Sequence, residues 1–308
     1  MYQKSIEEAK KRLFRGELVI FPTETVYGIG GNANNRKSIE LIYKTKNRPI
    51  NNPLICHFAN IKEIEKNFIL KDKDYELANT FWPGPLTLIL EKKINSMISP
   101  LLSNNKKLVG CRVPNNEISL SLLSIIDFPI AAPSANIATR TSVTSIEDLD
   151  YKLKEIFYID GGSSVLGLES TVIKTTKNGC KILRLGSLTI EDIKLKFPKY
   201  EISIDQSDVS PGNQLKHYSP IKPIRINVNF VKKNETLLNF GINKLTSDIK
   251  SLNLSIDENL SDASYNFYNY LNILDNTNCS GIAVAPIPDQ GLGKTINDRL
   301  KRASYKDG

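Results

Sequence analysis

The stretch Gly16-Glu17-Leu18-Val19-Ile20-Phe21-Pro22 sets the pattern of the first half of the chain. The glycine ends an amphipathic helix expected over residues 5–15, the apolar run favours a strand over 17–21, and the proline closes that strand. Short helices and short apolar runs alternate downstream. We expect helices over 38–44 and 75–81 and strands over 53–58, 86–90, 108–113, 130–132, 156–159, 170–174 and 181–184. This alternation predicts a mixed α/β sheet.

The character of the sequence changes near residue 205. Residues 210–220 contain two prolines and a glycine without apolar periodicity, which is typical of a linker or an extended active-site loop. Beyond it, short apolar runs surround a helix expected over 259–274, and a last short helix is expected over 297–304. We therefore predict a first domain over 1–205, a linker over 206–222 and a small α/β domain over 223–308.

The net charge of +8 is concentrated in the first domain. Residues 1–205 carry 29 Lys/Arg and 23 Asp/Glu, whereas residues 206–308 carry 12 and 10. An anionic ligand in the first domain explains this excess, and so does a compositional bias toward Lys and Asn. The four cysteines are scattered without a Cys-x-x-Cys pair, so a zinc or disulfide framework is not expected. No signal-like or membrane-length apolar run is present, which favours a cytoplasmic protein.

Two polar motifs far apart in the chain suggest one anion site. Lys46-Asn47-Arg48 and Ser134-Ala135-Asn136 each lie beside a proline and next to a strand-like run. Two cations one residue apart suit a polyanion such as a triphosphate, and Ser and Asn add directed donors and acceptors. If the fold joins them, side chains rather than a glycine loop would hold the phosphates.

Two glycine motifs resemble nucleotide-binding fingerprints but lack their context. Residues 28–33 satisfy a loose dinucleotide pattern, yet six residues separate it from the preceding strand, so a tight turn is the better interpretation. Residues 291–295 resemble the end of a P-loop, but the upstream glycine position holds Pro288.

Taken together, a series of ordered motifs resembles the YrdC-domain family and its long, two-domain branch. Among them are Phe21-Pro22-Thr23-Glu24-Thr25-Val26-Tyr27-Gly28-Ile29-Gly30, Lys46-Asn47-Arg48-Pro49, Ala132-Pro133-Ser134-Ala135-Asn136 and Gly167-Leu168-Glu169-Ser170-Thr171-Val172. Further matches are residues 52–54, 82–87, 112–114 and 183–186, and, for the long branch, 210–220, 291–293 and 296–300. The resemblance spans nearly the whole chain.

The resemblance implies a fold and a reaction. The fold would be a twisted mixed-sheet YrdC-like domain with a basic concave cleft, joined by an extended linker over the active site to a small Rossmann-like α/β domain. The reaction would convert L-threonine, bicarbonate and ATP into threonylcarbamoyl-AMP and pyrophosphate, a nucleotidyl transfer. Mg²⁺ would arrive with ATP, since no protein-only metal site is visible. The product would pass to the complex that transfers threonylcarbamoyl to tRNA, and weak tRNA binding is a further implied property.

The resemblance also implies roles for individual residues of this chain. The catalytic group would be Lys46, Arg48, Ser134 and Asn136. L-threonine would contact Thr25, His57, Arg112, the Ala132 backbone and Ser170. ATP would contact Arg48, Asn52, the Leu108 backbone, Ser134, Ser142, Arg184 and Tyr218.

Several alternatives remain open at this stage. Thr25 could satisfy a strand-end amide, Arg184 could form a surface ion pair, and His57 could be structural. The stretches 137–144 and 213–215 depart from the family pattern. The competing function is a module that binds double-stranded RNA, or associates with the ribosome, on the same fold. Such a module would not need Arg112, Ser170 and His57 at amino-acid-binding positions.

Overall fold

The computed structural model describes residues 2–205 and 218–305, which form two sheets with surrounding helices. The helices are α1 (Gln3–Phe14), α2 (Arg36–Lys46), α3 (Ile61–Asn67), α4 (Asp72–Phe81), α5 (Glu117–Ser124), α6 (Ile190–Lys196), α7 (Leu260–Asp275) and α8 (Leu292–Ala303). The strands of the first sheet are β1 (Val19–Phe21), β2 (Gly28–Asn32), β3 (Ile55–His57), β4 (Phe68–Ile69), β5 (Leu86–Lys92), β6 (Leu108–Arg112), β7 (Ile130–Ala131), β8 (Thr171–Thr175), β9 (Gly179–Arg184) and β10 (Glu201–Ile204). The second sheet contains β11 (Ile224–Arg225), β12 (Glu235–Asn239), β13 (Ser251–Asn253) and β14 (Gly281–Val284).

The first sheet is mixed, as the alternating pattern predicts. Its strand order is β1-β2-β7-β3-β6-β5-β8-β9-β10, with β4 paired to β5 at the side. β3 runs parallel to β6 with His57 opposite Arg112, so these two strands bring both side chains to the same edge of the sheet. An isolated bridge between Gly28 and Ser134 brings the loop after β7 to the start of β2. The topology thus converges on the region where the polar motifs lie.

The expected elements are confirmed where the apolar pattern is strong. The helix predicted over 5–15 is α1, and Gly16 follows it with a φ of +81°, a conformation that glycine adopts without strain. The strand predicted over 156–159 is wrong, since Tyr158 makes only an isolated bridge to Ile20. The turn expected over 28–33 is also wrong, because these residues form β2. A Cβ at Gly30 would lie 2.4 Å from Ile130 Cγ2, so close packing explains the glycine.

The second sheet is entirely parallel, in the order β11-β14-β12-β13. The last helix begins at Leu292, five residues before its expected start. Gly291 turns the chain with a φ of +49°, and a Cβ at Gly293 would lie 1.9 Å from the Pro288 carbonyl oxygen. The sequence that resembles a P-loop is therefore a tightly packed helix start. The fold class, a mixed sheet plus a separate C-terminal α/β domain, is confirmed.

The two domains share a hydrophobic core. Val26 and Leu168 of the first domain belong to the buried cluster that also contains Phe267 and Tyr268 of α7. The greater part of the predicted linker, residues 206–217, lies outside the described residues. No helix in the described part of the chain is long and apolar enough to span a membrane.

We predict that Gly167 is required for docking of α7. Gly167 and Gly162 have nearly the same φ, +72° and +73°, but a Cβ on Gly167 would lie 2.2 Å from the Ser264 carbonyl oxygen of α7, whereas nothing lies within 4 Å of one on Gly162. Gly162→Ala should therefore lower the free energy of unfolding by about 1–2 kcal/mol from backbone strain alone. Gly167→Ala should lower the free energy of unfolding by about 1–3 kcal/mol more than Gly162→Ala does, because of overpacking. Urea unfolding of both variants measures the difference, and equal losses would contradict the prediction.

Candidate active site

A cavity lies at the convergence of β2, β3, β6 and the loop after β7. The predicted site residues that line it are Thr25, Arg48, His57, Arg112, Ala132, Ser134, Ser170, Arg184 and Tyr218. The lining also includes Glu169, which the sequence reasoning missed. Three guanidinium groups against one carboxylate make the cavity attractive to anions.

Arg112 forms one end of the cavity and is buried. Its Nη1 donates a hydrogen bond to Thr25 Oγ1 at 2.9 Å, its Nη2 lies 2.7 Å from Glu24 Oε2, and its Nε donates to the Gly84 carbonyl at 3.3 Å. These contacts fix the plane of the guanidinium. Glu24 was also missed by sequence reasoning; the only signal was an acid between two threonines directly after a buried strand.

His57 lies beside Arg112 and is neutral at physiological pH. Burial, followed by the positive charge of Arg112, lowers its pKa to about 3. Its Nδ1 makes no well-aligned hydrogen bond among residues 2–205 and 218–305, although the backbones of Ile130 and Ile55 lie close enough to the ring to offset part of the lowering of its pKa. An unpartnered buried ring nitrogen that belongs to a cavity-lining residue can bind a polar group of a ligand.

The two polar motifs meet, as the sequence suggested they would. Lys46 at the end of α2 is 1% exposed, and its Nζ donates to the Ser134 carbonyl at 2.6 Å and also to the Asn136 carbonyl. Asn136 Nδ2 donates to the Ile137 and Arg140 carbonyls at 2.9 and 2.8 Å. Lys46 and Asn136 therefore brace the loop that carries Ser134, and neither side chain lines the cavity itself.

Arg48 reaches the cavity from the other side of this loop. Its Nε donates to the Asn52 carbonyl at 3.0 Å, and its Nη2 donates to Asn52 Oδ1 at 2.6 Å and to the Pro53 carbonyl at 2.9 Å. Burial lowers the pKa of Arg48 to about 10, so the guanidinium is still charged at pH 7. Asn52 is placed as the partner that orients Arg48 and does not line the cavity.

Ser170 and Arg184 form the wall between the two ends. Arg184 Nη2 donates to the Ser170 carbonyl at 2.7 Å and to Ser170 Oγ at 3.1 Å, and Ser170 Oγ lies 2.8 Å from Thr87 Oγ1. Arg184 is 8% exposed, so the surface ion-pair alternative is wrong. Tyr218, fully buried, closes the cavity next to this wall.

Besides Lys46, Asn52 and Asn136, two further predicted contacts lie outside the cavity. Ser142 is fully buried behind the wall, where its Oγ donates to Glu169 Oε1 at 2.5 Å. Leu108 lies at the opposite end of β6 from Arg112 and lines a second, more apolar cavity. Pro53 lines both cavities, so they adjoin.

Comparison with known proteins agrees with this architecture. Residues 11–186 match the family model of Sua5, YciO and YrdC, described as telomere recombination, and residues 188–304 match the model of the threonylcarbamoyl-AMP synthase C-terminal domain. The chain belongs to the Sua5/YrdC family. Because both models match in order, it belongs to the two-domain branch.

The relatives cover almost the whole chain. The threonylcarbamoyl-AMP synthase of Bacillus subtilis (strain 168) is 33% identical, with 97% of this chain and 92% of the relative aligned. That of Pyrococcus abyssi is 32% identical, with 98% and 96% aligned. The crystal structure of P. abyssi Sua5 complexed with L-threonine matches with a TM-score of 0.85 at 31% identity, covering 97% of this chain and 94% of that one.

We predict that His57 makes the first domain sensitive to acid. Its pKa in the folded chain, about 3, lies below the ordinary value of about 6.5, so the unfolded chain binds the proton first as the pH falls. The stability it contributes is complete above pH 6.5 and is lost toward pH 3. Between pH 7 and pH 5 this residue should lower the free energy of unfolding by about 2 kcal/mol.

Urea unfolding followed by the fluorescence of Trp82, the one tryptophan of the chain, tests this prediction at each pH. The slope of the free energy of unfolding against pH is compared between variant and wild type, because an effect of the substitution that does not depend on pH cancels in this slope. In His57→Gln, the free energy of unfolding should fall by about 2 kcal/mol less between pH 7 and pH 5 than it does in the wild type. An unchanged slope in this variant would refute the assignment.

Proposed function

We propose that this protein synthesises threonylcarbamoyl-AMP from L-threonine, bicarbonate and ATP with release of pyrophosphate. One observation carries the proposal: a single cavity has an end that suits an amino acid, formed by Arg112, Thr25 and His57, and an end that suits phosphates, formed by Arg48 and Ser134. The names of the relatives and the L-threonine in the solved P. abyssi structure support the same function.

L-threonine would bind with its carboxylate at Arg112. A guanidinium already fixed in its plane by Glu24 and Thr25 presents its remaining N–H groups without further ordering, and pairs with a carboxylate better than a lysine does. The neutral His57 would contact the polar side chain or the amine, and Ser170 would complete the pocket. The amine must be deprotonated to react, and burial in the cavity near the Arg112 guanidinium disfavours its charged form.

The reaction then needs mainly positioning and neutralisation of charge. The threonine nitrogen adds to carbon dioxide derived from bicarbonate, and loss of a proton leaves a carbamate. A carbamate oxygen attacks the α-phosphorus of ATP, and the bond to the bridging oxygen breaks to release pyrophosphate. Arg48 and Arg184 would neutralise the phosphate charge, and Ser134 would donate a hydrogen bond to a phosphate oxygen. Lys46 and Asn136 would hold the Ser134 loop in place.

The nucleotide would extend past Pro53 into the adjoining cavity. That cavity is lined by apolar groups from Leu108, Ile89 and Leu183, which suits the face of a nucleobase. Leu108 would then act as a nucleotide contact although it lies outside the first cavity, whereas Asn52, which lines neither cavity, would act by orienting Arg48. Mg²⁺ would enter as a complex with ATP, since the cavity-lining carboxylate Glu169 is paired with Arg299.

We place the enzyme in the cytoplasm and its product upstream of threonylcarbamoyl transfer to tRNA. The RNA-binding alternative gains no support, because an RNA backbone needs cations on an open surface. Arg112 and Arg184 are buried inside a cavity instead.

The direct test incubates purified protein with Mg-ATP, bicarbonate and labelled L-threonine, and follows pyrophosphate together with the labelled adenylate. We expect pyrophosphate release that depends on both threonine and bicarbonate. Pyrophosphate release that does not depend on threonine, or no pyrophosphate release, would reject the proposed function.

Arg112→Lys tests the amino-acid end. A lysine keeps the charge but loses the two-point geometry, and a hydrogen bond to a charged group contributes about 1.5–3 kcal/mol, so the KM for L-threonine should rise about tenfold to a hundredfold. The KM for ATP should change little. Arg225→Lys, at the half-exposed pair with Glu235 in the second sheet, is the matched control and should leave both constants unchanged. An unaltered threonine KM in Arg112→Lys would place the carboxylate elsewhere.

A further inference from the structure

Arg299 is a fully buried cation that belongs to the C-terminal domain but reaches into the first domain. It lies on α8 with 0% of its surface exposed. Its Nε donates to Glu169 Oε2 at 2.9 Å, and its Nη2 donates to the Leu185 carbonyl at 2.6 Å. A salt bridge to Asp298 satisfies the third nitrogen. The guanidinium is thus held in one plane at the domain interface.

The face of this plane lies against Tyr218, a residue that lines the cavity. The Arg299 Cζ atom is 4.6 Å from the centre of the Tyr218 ring, which is a cation–π contact. Tyr268 of α7 approaches the same ring, with centroids 6.1 Å apart. Two helices of the C-terminal domain therefore determine where the Tyr218 ring lies, and with it the shape of the cavity on that side.

Glu169 links Arg299 to the wall of the cavity formed by Ser170 and Arg184. It lines the cavity, and its Oε1 accepts hydrogen bonds from Ser142 Oγ and from Tyr268 Oη at 2.8 Å. The next residue, Ser170, accepts from Arg184 through its carbonyl. A shift of Arg299 would consequently move Tyr218 and the Glu169–Ser170 segment together.

Attachment of the two domains does not by itself require this charge. Neutral hydrogen bonds already join them, such as Thr295 Oγ1 to the Gly186 carbonyl at 3.0 Å, and a shared apolar core buries the interface. A buried ion pair adds little net stability compared with apolar packing of the same volume. Its value here lies in fixing geometry next to the cavity.

We propose that Arg299 is a positioning residue for the nucleotide end of the site, acting through Tyr218 and Glu169. The proposal rests on the proposed function for the identity of the ligand, ATP. The C-terminal domain then completes the nucleotide pocket, although its own residues Arg299 and Tyr268 stand behind the wall.

The test measures the Kd for ATP by titration of the full chain, so that it does not depend on turnover. Arg299→Lys keeps the charge but cannot cover the Tyr218 ring and also donate to Glu169 and Leu185. We expect the Kd for ATP to rise about tenfold, within the range typical of coupling between sites. The Kd for L-threonine should rise by a clearly smaller factor, because only Ser170 of its proposed contacts adjoins Glu169, whereas Arg112 and Thr25 are not contacted. An unchanged Kd for ATP overturns the proposal.

Thr295→Val is the matched control. It removes an interface hydrogen bond from the same helix without touching Tyr218 or Glu169. It should lower the midpoint of thermal unfolding but leave ATP binding unchanged. If Thr295→Val weakens ATP binding as much as Arg299→Lys does, general loosening of the interface explains the effect and the positioning role is rejected.

A double variant tests whether Arg299 acts through Tyr218. If it does, Arg299→Lys should weaken ATP binding far less in a Tyr218→Ala background than in the wild type. If the rise in Kd for ATP in the double variant equals the product of the rises in the two single variants, Arg299 does not act through Tyr218.

Should Arg299→Lys fail to fold, Tyr268→Phe carries the test, since it removes only the hydroxyl that donates to Glu169. A rise of about fivefold in the Kd for ATP is then expected, and no rise overturns the proposal. A wild-type chain that binds ATP but makes no adenylate would reject the proposed function alone.

Discussion

The structure depends on the burial of several cationic side chains in and beside the cavity. A buried guanidinium or ammonium is tolerated only where oxygen atoms surround it. Arg112 obtains them from Glu24, Thr25 and a backbone carbonyl, whereas Lys46 obtains them from the loop that carries Ser134. Each cation thereby fixes the backbone around it. The contacts that stabilise the buried cations are therefore the same contacts that set the geometry of the site.

This requirement divides the motif residues into two groups. Arg48 and Ser134 line the cavity and can meet a ligand, whereas Asn52 and Lys46 hold them in position. The distinction matters for mutagenesis, because loss of Lys46 would leave buried carbonyls without a donor and disturb the loop as a whole. Loss of activity in such a variant does not identify a phosphate contact.

Local pattern predicted the elements whose apolar run or terminus is distinctive, such as α1, β5 and the helix that ends at Lys46. It failed at β2, because Gly28–Asn32 resembles a turn but pairs with β1 on one side and β7 on the other, where the absence of a side chain at Gly30 allows close packing against Ile130. The partners Glu24 and Glu169 were equally invisible. Their roles depend on Arg112 and Arg299, which lie 88 and 130 residues away in the chain, so the sequence around each glutamate does not reveal its partner.

The segment from Leu166 to Ser170 shows how short the path between the domains is. Leu166 accepts a hydrogen bond from Ser264 of α7, Leu168 is buried in the core of the C-terminal domain, and Glu169 pairs with Arg299. Ser170, one peptide bond further, lies in the cavity. Because only these few residues separate the contacts with the C-terminal domain from Ser170, we expect a change in how that domain docks to shift this side of the cavity. The second domain is therefore part of the site's construction, and its packing and the ligand's affinity are linked through these five residues.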